Sequence, residues 1–212
     1  LNASSTTFTD FAPTGVSPLP SGDNLLRSRL DASLVIDAGT VVKIDGARIE
    51  ARFGANFFAE GSPSEPVIFT GIEDQRYGAG GTFDTNLQDG QNPPAAGDWG
   101  GIFLGHLSRG NIDFSIFAFG GGTTKLEGNF AGFNVIEIHQ AEVRIANSLF
   151  EQNADGQAGQ APADRFGLGS NDDTTIFMRG AQPVIVANIL TDNDGSAISA
   201  NANALNHIWR ND

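Results

Sequence analysis

The sequence predicts an all-β fold: a parallel β-helix (β-solenoid) with loop excursions along one edge. The first observation is an internal repeat, because residues 136–153 align with residues 176–193 at a fixed offset of 40 residues, apolar on apolar. The second is that each unit consists of short extended runs separated by small or polar corners, without helical spacing. Repeated short strands of this kind are typical of solenoid turns that stack on one another.

Within the repeat, the aligned positions predict the core and the corners. We expect an inward-facing ladder at four aliphatic positions: Ile145, Ile185, Leu149 and Ile189. Asn153 and Asn193 align at a corner, where asparagine tolerates left-handed backbone angles and identical side chains can hydrogen-bond along the stack. A β-sandwich is the competing all-β fold, but no Asn-Gly or Asp-Gly two-residue turn joins alternating runs in the repeat. The solenoid is therefore the better interpretation.

The chain divides into three parts. Residues 1–33 are rich in Ser, Thr, Pro and Asp and are interpreted as an N-terminal cap or linker, with a short helical turn at residues 25–30. Residues 34–206 are the β-helix, and residues 207–212 are a tail or the start of the next turn. Because residues 196–206 have the pattern of an opening turn, we expect a longer polypeptide, a second chain or an assembly partner to cover this end. The alternative is that Trp209 folds back as a plug.

Three excursions interrupt the turns: residues 71–97, 120–134 and 154–173. Each follows an apolar run that aligns with the other two, so each is expected to leave the solenoid at an equivalent corner. Stacking would then place the excursions side by side in a lobe along one edge. Insertions in repeat proteins map to one face, which is often the binding face. This lobe is therefore the first candidate for a binding surface.

Three sequence stretches carry a resemblance to a known family. Residues 36–43, residues 59–70 and the motif Gly97-Asp-Trp-Gly-Gly-Ile102 resemble motifs of right-handed parallel β-helix regions in large secreted bacterial proteins. The resemblance covers about residues 33–205 and implies a right-handed helix in a secreted or cell-surface protein. It does not imply an enzyme, because the family includes adhesive and structural members. From its glycine neighbours, which let the backbone pass beneath the ring, Trp99 is expected to be a buried core or corner residue, with a sugar-stacking indole as the alternative.

The composition argues against several classes of partner. The chain has 12 Lys and Arg against 25 Asp and Glu, a formal net charge of −13, whereas nucleic-acid binding needs clustered basic residues. No run approaches the roughly 18 apolar residues of a membrane span. The absence of Cys excludes disulfides, thiolate metal sites and a Cys nucleophile. The expected partners are other protein chains or the rest of a larger polypeptide, with carbohydrate as a further candidate.

The first excursion predicts calcium as a cofactor. Asp84, Asn86 and Asp89 have a spacing similar to that of a calcium loop, with Asp74 and Asp98 as further candidate ligands. Calcium takes roughly six to eight oxygen ligands, which Asp and Asn on a tight Gly turn can supply. The loop pattern is incomplete, because two residues displace its Asp-Gly pair and no Glu completes it. A solvated acidic loop is the alternative.

No catalytic or organic cofactor-binding residues are predicted. The three histidines, His106, His139 and His207, lack metal-ligand spacing and are expected to be ordinary surface or corner residues. Arg144 and Arg179 do not share a repeat position, so they do not form the basic cluster of a polysaccharide lyase. No particular carboxylate pair for glycoside hydrolysis can be recognised among the acidic residues.

The phenylalanines divide into two expected groups. Four in the excursions are expected to pin the lobe to the solenoid wall: Phe83, Phe130, Phe133 and Phe166. Those in the runs, from Phe53 to Phe177, are expected to form a core of stacked aromatic rings.

Together these patterns predict a non-enzymatic extracellular module with a structural or adhesive role, as part of a larger surface protein or an assembly. The alternative is a carbohydrate-active enzyme, either a polysaccharide lyase or a glycoside hydrolase, or a carbohydrate-binding module on the same scaffold.

Overall fold

The computed structural model describes residues 32–78, 93–126, 129–156 and 169–201, together with two strand segments that precede them. Among the described residues, no helix is both long enough and apolar enough to cross a lipid bilayer. Their strands are β1 (Val16–Pro18), β2 (Asn24–Leu26), β3 (Ser33–Ile36), β4 (Val41–Ile44), β5 (Ile49–Ala51), β6 (Asn56–Glu60), β7 (Val67–Gly71), β8 (Ile102–Leu104), β9 (Arg109–Asp113), β10 (Ser115–Ala118), β11 (Thr123–Leu126), β12 (Asn129–Gly132), β13 (Ile136–His139), β14 (Glu142–Ala146), β15 (Leu149–Glu151), β16 (Thr174–Arg179), β17 (Val184–Val186), β18 (Ile189–Thr191) and β19 (Ser196–Ala200).

Most of these strands form three parallel sheets, each of five strands. Sheet 1 has the order β3-β6-β9-β14-β17, sheet 2 the order β4-β7-β10-β15-β18, and sheet 3 the order β5-β8-β13-β16-β19. The chain passes through sheets 1, 2 and 3 in turn and then returns to sheet 1, one strand further along. One such circuit is a coil of the β-helix, and the five coils are numbered 1 to 5 from β3–β5 to β17–β19. The predicted parallel β-helix is confirmed.

The strand register reproduces the offset of the sequence repeat. Ile136 pairs with Ile176 in sheet 3, Ile145 with Ile185 in sheet 1, and Phe150 with Leu190 in sheet 2. Each pair is 40 residues apart in the chain. The repeat is therefore one coil of the β-helix.

Aromatic rings fill the centre of the coils. Phe69, Phe117 and Phe150 stack in successive coils, with centroids 4.9 and 4.7 Å apart and nearly parallel planes. Trp99 is fully buried beside Phe69, and its indole nitrogen donates a hydrogen bond to the Ala118 carbonyl over 2.8 Å. Trp99 is thus a core residue, as expected. The glycine against its ring is Gly120, where a Cβ would lie only 2.9 Å from the indole.

The predicted inward ladder is half right. Ile145 is fully buried and Ile185, in the last coil, is packed against the core. Leu149 is only partly buried and Ile189 is 63% exposed, because both point outward from sheet 2. The inward positions of these strands are taken by the next residues, Phe150 and Leu190. In coil 4 the Phe150 ring, which is larger than the Leu149 side chain, therefore faces the core.

A single residue with left-handed backbone angles turns the chain at most corners. Gln140, Asn147 and Gln152 have φ values of 57, 50 and 54°, one for each of the three corners around coil 4. Bulkier residues adopt the same conformation elsewhere, which is unusual for side chains of their size. One of these is Phe53, with φ of 54°. Its side chain is 58% exposed, so the expectation that it belongs to the aromatic core is wrong.

Two antiparallel hairpins accompany the coils. β1 pairs with β2, so Leu25 and Leu26, which were expected to begin a helical turn, are extended. β11 pairs with β12 inside the second excursion, with Lys125 opposite Phe130. This second hairpin lies on the outer face of sheet 3, where Ala131 and Phe133 pack on Phe103 in a small apolar cluster.

Candidate functional site

The three excursions leave the β-helix at one corner. They follow β7, β10 and β15, which are neighbouring strands of sheet 2, and they lead to β8, β13 and β16, which are neighbouring strands of sheet 3. The prediction of a common corner is therefore confirmed. In coil 5 the same corner is a short link of four residues, 192–195. The described parts of the excursions form the lobe, which is the candidate site.

A buried carboxylate holds the first excursion in place. Asp74 is fully buried, and its oxygens accept hydrogen bonds from the Thr70 hydroxyl at 2.6 Å and from the Arg76 guanidinium at 3.0 and 3.1 Å. Burial alone would raise the pKa of Asp74, but the hydrogen bonds from Arg76 and Thr70 outweigh it and leave the pKa below its ordinary value. Arg76 also binds Glu151 at 2.7 Å and lies over the Phe119 ring. The excursion from coil 2 is thereby tied to coils 3 and 4.

The predicted calcium ligands fall into two groups. Asp84, Asn86 and Asp89 lie outside the described residues. Asp74 is described, but its carboxylate is occupied by Thr70 and Arg76, so a cation would have to displace the arginine. Among the described residues, no group of three or more His, Cys, Asp or Glu side chains has the geometry to hold a metal ion.

Asp98 fits the predicted cation chemistry better than Asp74. Its carboxylate accepts one hydrogen bond, from the Ala95 backbone at 2.9 Å. Burial raises the pKa of Asp98, and the nearby carboxylates Glu73 and Asp45 raise it further, while the hydrogen bond from Ala95 acts in the opposite direction. A carboxylate whose ionisation is disfavoured by other carboxylates gains from a bound cation.

One asparagine fastens both ends of the third excursion. Asn134 is fully buried at the end of the second excursion. Its amide nitrogen lies within hydrogen-bond distance of three backbone carbonyls, at 2.9 Å from Asp155, 2.8 Å from Asp172 and 2.5 Å from Thr174. Asp155 precedes the third excursion's undescribed part and Asp172 follows it. The second and third excursions are therefore held together at their base.

A buried Glu–His pair lies beneath these excursions on the outer face of sheet 3. Glu137 is fully buried and accepts hydrogen bonds from the Asn134 backbone at 2.9 Å and from the Asn171 amide at 3.3 Å. His139 Nε2 lies 3.1 Å from the second carboxylate oxygen. His139 is only 6% exposed, so the expectation that it is an ordinary surface or corner residue is wrong. The cause is the cover that the excursions place over this face.

Planar side chains stack across the same face. The His139 ring lies between Phe103, at 4.8 Å, and Phe177, at 5.5 Å. The guanidinium groups of Arg52 and Arg179 extend the stack at its two ends, over Phe103 and Phe177 respectively. Cation–π and ring contacts of this kind stabilise the layer of side chains that covers the outer face of sheet 3.

The phenylalanines expected to pin the lobe behave differently from one another. Phe133 is 2% exposed and packs against Phe103 and beneath the Arg48 guanidinium, so it does pin the hairpin to sheet 3. Phe130 is 60% exposed, and the same expectation for it is wrong, because it points away from sheet 3 on the outer side of the hairpin. Phe83 and Phe166 lie outside the described residues.

Two shallow grooves border the lobe. One has a volume of about 400 Å³ and lies between coil 1 and the β11–β12 hairpin, lined by Arg48, Glu50 and Lys125 among others. The other has a volume of about 270 Å³ and is lined by Asp172, Arg179 and Ser199 among others. In the second groove the Asp172 carboxylate accepts a hydrogen bond from Ser199, and Arg179 donates one to Ser170. The second groove is mainly polar, whereas polar and apolar surface contribute about equally to the first.

Comparisons with protein-family models, with curated proteins and with solved structures find no match.

The polar residues under the lobe were not predicted from the sequence. Glu137 and His139 alternate with the inward-facing Ile136 and Ile138, so alternation alone places them on the outer face. Nothing local indicates that this outer face is covered. The partners that bury Glu137 come from the second and third excursions, up to 34 residues away. The one available signal was a charged residue in an otherwise apolar run.

Proposed function

We propose that this chain is a non-enzymatic structural and adhesive module of a secreted or cell-surface protein. In this proposal the β-helix is a rigid support and the lobe is the surface that contacts a partner. The observation that carries the proposal is that buried polar side chains fasten the excursions to the coils. Solvent-exposed loops without such contacts would lose conformational entropy on binding.

The fastening contacts are distributed along the support. Asp74 and Arg76 hold the first excursion to Glu151 in coil 4, and Asn134 holds the second and third excursions together. A surface that is ordered before binding avoids part of the ordering cost, which favours affinity. The partners that we propose are other protein chains or the rest of a larger polypeptide, and carbohydrate. We also propose calcium as a cofactor of the first excursion, with Asp98 as one of its ligands.

A carbohydrate-active module is the second candidate, and one observation favours it. Arg179 and Asp172 line the same polar groove of about 270 Å³, so a ligand bound there would meet both a cation and a carboxylate. A carboxylate can act as a general acid or base on a glycan, and a neighbouring cation can stabilise negative charge that develops there.

A panel of neutral and acidic polysaccharides distinguishes the two candidates. Binding and product formation are measured in parallel on the native chain. The variant Phe130→Ser tests the lobe, and Val35→Ser is the matched control, since both side chains are more than half exposed and Val35 lies on sheet 1 of coil 1. Binding without turnover that is weakened by Phe130→Ser alone supports the adhesive module. Product formation by the native chain that is lost in Asp172→Asn or Arg179→Lys would overturn the adhesive module and support a carbohydrate-active enzyme.

A further inference from the structure

We propose that coil 5 binds coil 1 of a second copy of this chain, so that copies stack head to tail and continue the same three parallel sheets. This inference concerns the ends of the support and does not depend on whether the lobe binds a partner. It follows from a hydrogen-bonding device that coils 4 and 5 each apply to the coil before them.

At the corner between sheets 2 and 3, coils 4 and 5 each use an asparagine to satisfy the backbone of the preceding coil. Asn153 of coil 4 accepts a hydrogen bond from the Gly120 backbone at 2.7 Å and donates to the Phe117 carbonyl at 3.0 Å. Asn193 of coil 5 repeats both contacts one coil further on, with the Asn153 backbone and the Phe150 carbonyl. The direction is the same in both cases, from later coil to earlier coil.

The corner between sheets 1 and 2 uses the same device. Asn188 of coil 5 accepts from the Ser148 backbone at 2.9 Å and donates to the Ile145 carbonyl at 3.0 Å. In coil 4, Ser148 accepts from the Ser115 backbone at 3.1 Å. A hydroxyl group can therefore replace the amide at this corner.

In coil 5, the backbone groups that a following coil would satisfy have no partner among the described residues. Among the described residues, the backbone N–H groups of Asn188 and Asn193 donate no hydrogen bond. Strands β17, β18 and β19 each have a neighbour on one side only. Ile198, aligned with the buried core residue Ile176, is 43% exposed. Unpaired edges above an open core are templates for pairing with another chain.

Coil 1 carries matching groups at the matching positions. The register of sheet 2 aligns Val41, Ile68, Ile116, Leu149 and Ile189 in successive coils. One residue earlier, Thr40 therefore corresponds to Asn188, and four residues after Val41, Asp45 corresponds to Asn193.

Both side chains of coil 1 are suited to the contact. Among the described residues, no hydrogen bond is made by the Thr40 hydroxyl or by the Asp45 carboxylate. In a stacked second copy, Thr40 would accept from the Asn188 backbone as Ser148 accepts from Ser115, and Asp45 would accept from the Asn193 backbone. Strands β3, β4 and β5 are also edges of their sheets, and the core-facing Leu34 is 46% exposed.

Such a contact joins two different surfaces, so it does not close and adds copies in a row. The net charge of −13 opposes association at low ionic strength, and salt screens this repulsion. We therefore expect association of the native chain to increase with protein concentration and with salt.

The experiment uses one blocking variant for each end. Leu34→Lys places a charge on coil 1 and Ile198→Lys places one on coil 5, while Phe130→Lys on the lateral hairpin is the control. Light scattering as a function of concentration measures the mass, with far-ultraviolet circular dichroism and thermal unfolding to confirm that each variant folds. The native chain and Phe130→Lys should exceed the 22.2 kDa monomer in steps of one chain, whereas each end variant alone should stay monomeric.

Mixing the two end variants provides the decisive comparison. Each retains one open end, so the mixture should form a species of twice the 22.2 kDa monomer and grow no further. A native chain that stays monomeric at all concentrations and salt levels overturns the proposal. Dimers of Leu34→Lys alone also overturn it, because they show that coil 5 binds coil 5. If only one end variant folds, its own mass still decides between these outcomes.

Discussion

Asn153 and Asn193 lie one above the other at the same corner of successive coils, and the amide of Asn153 donates to the side-chain oxygen of Asn193 over 2.8 Å. The same oxygen accepts from the Asn153 backbone at 3.0 Å. The two asparagines thus join coils 4 and 5 at the corner from which the excursions leave. Their role is structural, because every polar atom in the contact serves a backbone group or the neighbouring amide.

Asn153→Ala should be more destabilising than Asn193→Ala. Asn153 is fully buried, and its loss leaves the Gly120 N–H and the Phe117 carbonyl without their partner. Each of these two unsatisfied buried groups costs about 1 to 3 kcal/mol, so we expect a loss of about 2 to 6 kcal/mol. Asn193 is only partly buried, and water can replace some of its contacts. Urea unfolding of both variants measures the difference, and equal losses would contradict the burial argument.

Ile145→Ala should reduce the free energy of unfolding by about 2 to 5 kcal/mol, because it opens a cavity in a fully buried core. Leu149→Ala removes an equal or similar volume from the outer side of sheet 2 and should cost less than about 1 kcal/mol. Ile185→Ala should fall between them, since Ile185 is partly buried in the last coil. Chemical unfolding of the three variants checks the order. A larger loss for Leu149→Ala than for Ile145→Ala would indicate that Leu149, rather than Phe150, faces the core from sheet 2, which would contradict the structure.

The repeat predicted the coil but not the inward phase of every strand. The 40-residue spacing is the length of one coil, so it appears in the sequence as a repeat. The structure pairs Ile145 with Ile185 at this spacing. Which residues of a strand point inward is decided anew at each corner. Between β14 and β15, Asn147 with φ of 50° turns the chain. Two-residue alternation therefore cannot be carried from Ile145 to Leu149 across that corner.

The lobe was predictable in position but not in content. Aligned insertions placed it at one corner, because stacked coils repeat their corners. The burial of Glu137 and His139 depends on Asn171 and on the β11–β12 hairpin, which reach sheet 3 from distant parts of the chain. Such tertiary cover leaves no periodic signal in the sequence.

Asp74→Asn should have an effect on stability that depends on pH. The pKa of Asp74 is lowered in the folded chain, so its ionised form contributes stability above the ordinary value of 3.8 that is lost as the pH falls through the folded value. The loss caused by Asp74→Asn should therefore be larger at pH 7 than at pH 3. Asp98 gives the opposite sign, since its pKa is raised and its ionisation opposes folding. Asp98→Asn should be better tolerated at pH 7 than at pH 3. Urea unfolding at both pH values measures the two differences, and the same sign for both variants would contradict the assignment.

Calcium should raise the unfolding temperature, with Asp98 as a contributing ligand. A ligand that binds only the folded chain stabilises it by about 2.7 kcal/mol at one hundred times its dissociation constant. Thermal unfolding with calcium and then with chelator measures this shift. Asp98→Asn should reduce it, whereas Asp37→Asn, an exposed carboxylate of coil 1, should not. Equal unfolding temperatures over a wide calcium range would leave only a solvated acidic loop.

We predict that the lobe is fixed to the β-helix as firmly as the strands are fixed to one another, and native-state hydrogen exchange measures this. The informative amides are those of Asn134, bound to Glu137 at 2.9 Å, and Gly156, bound to the Gly121 carbonyl at 2.9 Å. The amide of Ile138 in β13 is the reference. We predict that the two lobe amides exchange within about tenfold of the Ile138 amide, because they open in the same cooperative unit. Exchange faster by about a thousandfold or more would show instead that the lobe opens independently of the coils.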